Sequence, residues 1–150
     1  MYLLGDTITA WLHFVLIFAI VGSLTAELVL CRHPLTKAVI ARLARFDMVY
    51  GLSALGLLLV GFGRATGFAK GWSYYAQEPW FWVKIALFAT VGGLSILPTM
   101  KFLRWNKTAK DLAEISIDAA EVQRIRRHIH AELGLLPFIA LAATLMARGL

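Results

Sequence analysis

His13, Arg64 and Lys84 are basic side chains set in or at the edge of long apolar runs. A charged group inside a membrane-spanning helix costs at least ~2.5–3.5 kcal/mol on insertion scales, so each is a functional candidate by default. His13 lies about four residues into the first apolar run, Lys84 four residues into the third, and Arg64 closes the second. Helices that alternate in direction bring all three to one depth, in the outer third of a bundle. Such a cationic layer suits carboxylates, as on porphyrin propionates, or a quinone carbonyl, and His13 is its one candidate metal ligand. Trp80, Trp82 and Tyr74 flank the layer. They form either an aromatic belt at headgroup level or a platform that stacks on a planar ligand. Lys84 and Arg64 have the alternative of snorkelling to headgroups, and His13 that of a hydrogen bond between helices.

A second polar layer collects Glu27, Arg45, Asp47, His130 and Glu132 near the other face. Glu27 follows His13 by fourteen residues, roughly 21 Å along a helix, so the two layers do not share one coordination sphere and a His13–His130 haem pair is excluded. Glu27 with Arg45 or His130 makes either a proton relay or an ion-paired set that fixes helix register. His128 and His130, two residues apart, point to different helix faces, which disfavours a two-ligand metal site. Cys31-x-His33 is a weak metal signal, and a lone cysteine forms no internal disulfide. The sequence has no nucleophile triad, P-loop, Gly-rich dinucleotide turn or paired catalytic carboxylates, which excludes hydrolase and nucleotide-driven classes.

The elements that position these layers follow from composition. With 59% hydrophobic and 16% charged residues over 150 positions, the chain is too apolar for a water-soluble fold and has room for one domain, residues 1–150. Segments 9–30, 47–63, 80–99 and 133–147 are the expected spans. A backbone in lipid must satisfy its own hydrogen bonds, so they are helices and the fold is an all-α four-helix bundle. Connections 31–46 and 100–132 hold eleven of the fifteen Lys and Arg residues, and the opposite side has Arg64, Lys70, Lys84 and Arg148. The positive-inside rule puts those connections in the cytoplasm and both termini in the periplasm of a bacterial inner membrane. The net charge of +6 is thereby explained without nucleic acid. No cleavable leader is expected, so the first span stays attached.

Between the third and fourth spans, Thr108 and Asp111 resemble a helix start, and Leu112, Ile115, Ala119, Val122 and Ile129 recur at helical spacing. They predict an amphipathic cytoplasmic helix. Ser116 with Asp118 is a competing start that would run one helix into the fourth span. Gly22-x-x-x-Ala26, Gly51, Gly56 and Ala89-x-x-x-Gly93 are expected to let helices approach closely, while Pro98 and Pro137 fall inside spans and each removes a backbone donor.

Arg45-Phe-Asp47-Met-Val-Tyr50-Gly51, Arg64, Lys70-Gly71-x-x-Tyr74-Tyr75, Lys84 and Leu94-Ser95-x-x-Pro98-Thr99 resemble, over nearly the whole chain, domain-of-unknown-function family 2214. This is a family of uncharacterised bacterial inner-membrane proteins, and the resemblance implies four spans and no established activity. Leu12-His13, Arg45 and Trp80-Phe-Trp82-Val-Lys84 are more distantly similar to the HemJ-type protoporphyrinogen oxidases. This chain has Trp82 where those have a His, and Ala131-Glu132 where they have Asn-Glu. That resemblance implies a redox protein with haem b or a porphyrin on His13, propionates on Arg64 and Lys84, and Trp80, Trp82 or Tyr74 along the ring. The alternatives are a non-enzymatic module that binds a partner or forms a homo-oligomer, and a small proton-coupled transporter that needs Glu27 and Asp47.

Overall fold

The computed structural model describes residues 2–68 and 71–149; Lys70 lies outside them. Helix α1 (Tyr2–Leu30) is followed by α2 (Lys37–Gly63), a π-helical turn (Arg64–Phe68), a short α3 (Trp72–Gln77), α4 (Pro79–Asp111) and α5 (Ala119–Arg148). Four of these are long and apolar enough to cross a membrane, and no strand occurs among the described residues. All four run past the expected spans. The 33 residues of α4 measure ~50 Å, well beyond a ~30 Å hydrocarbon core. The outward faces carry large apolar side chains, with Phe18 74% and Leu59 65% exposed; these surfaces are stable against lipid, not water.

Local chemistry sets the helix ends. The Thr36 side chain caps α2 by accepting from the Val39 backbone N–H at 3.3 Å, which satisfies one of the donors a helix start leaves free. Pro79 opens α4, where its missing N–H costs nothing. Gly149 ends α5 at φ 68°, a left-handed position that favours glycine.

Thr108 opens no helix. Its carbonyl accepts the Leu112 N–H and so closes the last turn of α4. The competing start is the one that forms, because Asp118 caps α5 and its carbonyl accepts the Val122 N–H. The predicted separate amphipathic helix between the third and fourth spans is therefore replaced by two long helices that project from the bundle, joined by residues 112–118. A contact between Lys101 and Glu121 ties the projecting parts together.

Contacts at the helix ends fix the antiparallel register. Asp6 meets Arg64 at 3.2 Å, joining the start of α1 to the end of α2. Arg126 donates to the Leu28 carbonyl at 2.7 Å, joining the start of α5 to the end of α1, and Lys37 reaches the Leu112 carbonyl. The helices form a ring in which α1 packs on α2 and α5, and α4 on α5 and α2. One end of the ring holds the chain termini, and the other the basic connections.

Packing is uneven along the bundle. The apolar core of Leu24, Ile40, Leu43, Phe102, Ile125 and Ile129 sits toward the basic end, whereas the terminal half surrounds a cavity. Of the small residues expected to bring helices together, Gly56 does so: a Cβ there would lie 3.4 Å from the Leu16 methyls. Around Gly22, Gly51 and Gly93 there is no atom within 4 Å of such a Cβ, so those positions pack against no neighbouring helix.

Candidate functional site: an intramembrane cavity between two polar layers

A cavity of about 380 Å³ runs down the centre of the terminal half. Helix α1 lines it with His13, Ile17, Ile20 and Val21, whose spacing puts them on one face of the helix. Helix α4 lines it from Phe81 and Lys84 down to Ser95 and Thr99. These stripes face an internal space where a bundle would ordinarily have core. Lys84 and Thr99 are fifteen residues apart, ~22 Å along α4. The cavity is therefore elongated along the bundle axis, and most of its lining is apolar.

His13 and Lys84 form the wall at the terminal end, and Arg64 lies within electrostatic reach of both. The expected basic layer is thus assembled, with two refinements. Arg64 is engaged by Asp6, a partner whose signal was its place two helical turns before His13. Lys84 sets its ammonium 5.3 Å from the Phe81 ring centroid, a cation–π distance, and no carboxylate lies within ion-pair distance of it among the described residues. The Nδ1 of His13 is buried without a hydrogen-bond partner. Gly61 passes close by, its would-be Cβ 3.8 Å from the imidazole Cε1.

The aromatic platform is built from other rings than the expected ones. Trp80, Trp82 and Tyr74 do not line the cavity; Phe81, Phe62 and Phe88 do. Trp82 is 50% exposed, and its Nε1–H is taken by the Ala76 carbonyl at 3.0 Å. Trp72 stacks on Phe62 at 6.2 Å and meets Phe81 edge-on at 6.1 Å, so α3 packs its tryptophan against two rings of the cavity wall from outside. Among the described residues no three His, Cys, Asp or Glu side chains group closely enough to hold a metal ion.

At its basic end the cavity reaches Tyr50, Ser95 and Thr99. Beneath them lie Glu27 from α1, Asp47 from α2 and Glu132 from α5, all buried. Glu27 is within electrostatic reach of the other two. Tyr50 donates to Glu132 Oε2 at 2.9 Å and Thr99 to Asp47 Oδ1 at 2.7 Å. Arg45 and His130, expected in this layer, are exposed instead. The His130 Nδ1 lies 2.9 Å from the Arg126 carbonyl, and neither residue pairs with Glu27. Depth in the sequence does not assign the hydroxyls of Tyr50, Ser95 and Thr99 to this layer. Their signal was present in two spacings: Tyr50 one turn after Asp47, and Thr99 one turn after Ser95.

Fold and site together define a polytopic helical membrane protein with an internal cavity between a basic layer and an acidic one. The chain belongs to the family described as "Predicted membrane protein (DUF2214)", whose model matches residues 5–150. No curated protein and no solved structure matches it, so the similarity to HemJ-type oxidases is left without support.

Proposed function

We propose that this protein binds one elongate amphiphile in its intramembrane cavity, with a carbonyl or carboxylate head group held by His13 and Lys84. Isoprenoid quinones and fatty acids have this shape. The observation that carries the reading is the pairing of a buried, unpartnered His13 Nδ1 with the Lys84 ammonium at the terminal end of an elongated, mostly apolar cavity. A carbonyl oxygen accepts from both, and an apolar tail fills the cavity through van der Waals packing against its apolar lining. Charge distribution supports a bacterial cytoplasmic membrane with the basic end in the cytoplasm and the cavity's head site toward the periplasm.

The test is organic extraction and mass spectrometry of the protein purified in lipid nanodiscs, followed by titration with a quinone and a long-chain carboxylate. A co-purifying or saturably bound amphiphile is expected. Lys84→Met and His13→Ala are each expected to weaken it at least tenfold, which corresponds to about 1.4 kcal/mol. A Soret band in the purified protein that disappears in His13→Ala would replace this reading with a porphyrin one. No bound or titratable amphiphile would end it.

A further inference from the structure

We infer that Glu27, Asp47 and Glu132 form a proton-binding site in the basic half of the bundle, reached through a groove beside Asp47. Three carboxyl groups from three helices meet here, with no Lys, Arg or His within ion-pair distance among the described residues. Glu27 and Glu132 are each 1% exposed, and each has an Oε1 with no hydrogen-bond partner. A buried carboxylate oxygen left bare costs several kcal/mol, and three negative charges within electrostatic reach of one another would repel as well. Something positive must sit among them. The side chains do not group closely enough for a metal ion, and the unpartnered oxygens show no hydrogen bond from one carboxyl to another, so the occupant that fits is the smallest cation, a proton bound covalently to a carboxyl of the cluster.

The surroundings are consistent on every side. Helix α1 brings Glu27, with Cys31 one turn beyond it; α2 brings Asp47 and Tyr50. Helix α4 brings the hydroxyls of Ser95 and Thr99, which do not ionise in this range. Helix α5 brings Glu132 and, further toward the basic end, Arg126, whose guanidinium is taken by the carbonyls of Leu28 at 2.7 Å and Cys31 at 3.4 Å. Tyr50 and Thr99 each give one hydrogen bond to the cluster, and a hydroxyl can receive a proton on one lone pair while releasing its own.

Entry is visible next to Asp47. A groove of about 570 Å³ between α2 and α4 is lined by Asp47 and Thr99 together with Arg45, Asn106 and Lys110 from the basic end. Gly51 and Thr99 also line the central cavity. The Asp47–Thr99 hydrogen bond therefore stands between the groove and the cavity. The step is a simple transfer: hydronium in the groove gives a proton to a carboxylate, leaving water and a carboxylic acid, and no electron moves. It is independent of the amphiphile proposed above.

Infrared spectroscopy of the protein in nanodiscs tests it directly. The carbonyl stretch of a protonated carboxyl is expected at neutral pH, displaced when glutamate alone is carbon-13 labelled and lost or shifted in Glu27→Gln and Glu132→Gln. The labelling arm needs no substitution and so does not depend on the variants folding. In Ala44→Trp, which narrows the groove beside Asp47, the shift of this band in heavy water is expected to slow. Absence of a protonated-carboxyl band at every pH where the protein stays folded would overturn the site, as would a band indifferent to glutamate labelling and to both glutamine substitutions. Equal exchange rates with and without Ala44→Trp would overturn the route.

Discussion

Tyr50 supplies the one hydrogen bond that Glu132 receives among the described residues, and both are buried. Tyr50→Phe takes the donor and leaves the acceptor, an exchange that costs about 1–3 kcal/mol when the stranded group is buried. Thermal unfolding in detergent is expected to show that loss. Tyr50→Phe combined with Glu132→Leu is expected to recover part of it, because no polar group is then left alone. A double variant that adds the two single losses would mean that the pair does not interact. At this scale the sequence revealed depth but not direction. Each residue turns a helix by about 100°, so two residues of separation point side chains roughly 200° apart. Arg45 and Asp47 share a depth and face opposite ways, as do His130 and Glu132. Phe81, between Trp80 and Trp82, takes the inward position for the same reason. Reading depth alone put Arg45, His130, Trp80 and Trp82 in layers that their helical phase excludes.

Helix pairs show where substitution is tolerated. At Gly56 a Cβ would lie 3.4 Å from the Leu16 side chain, so Gly56→Leu must displace Leu16 or part α1 from α2. Overpacking of this kind costs typically about 1–3 kcal/mol, to be seen as a lower thermal midpoint. Gly22→Ala has open space around it and is expected to leave the midpoint unchanged or slightly raised, alanine being the better helix former by roughly 1 kcal/mol. Equal effects at the two sites would contradict the observed interface. The spans were legible because lipid demands long apolar helices. Their true lengths were not, since the polar continuations of α4 and α5 are held by contacts such as Lys101 with Glu121, which join residues twenty apart.

Orientation is a property of the whole molecule, and thiol labelling reads it. The native thiol gives little background: burial pushes Cys31 up to about 11, so at neutral pH it stays protonated and slow to react. A membrane-impermeant maleimide is expected to label Ser73→Cys in intact cells and Glu114→Cys only after the membrane is opened. The reverse pattern would put the basic end outside. The ring order of the helices could not be read from hydropathy, which ranks segments by depth and says nothing of which neighbours which. It rests on the pairing of Arg64 with Asp6 and of Arg126 with the end of α1.

The uneven packing has a mechanical consequence. The bundle is built like a tuning fork, with its handle in the close-packed basic half and four tines around the slot. Pro98 sits in α4 between Phe102 of the packed core and Ser95 of the cavity wall, and Pro137 in α5 lies beside Leu136 of that wall. Each breaks one rung of the helical hydrogen-bond ladder, the usual cause of a local bend. Pairs of spin labels on the tines of α4 and α5 are therefore expected to show broader distance distributions than pairs on the handle, and Pro137→Ala is expected to narrow them. Guest molecules could then slip between the tines from the side while the handle keeps its shape.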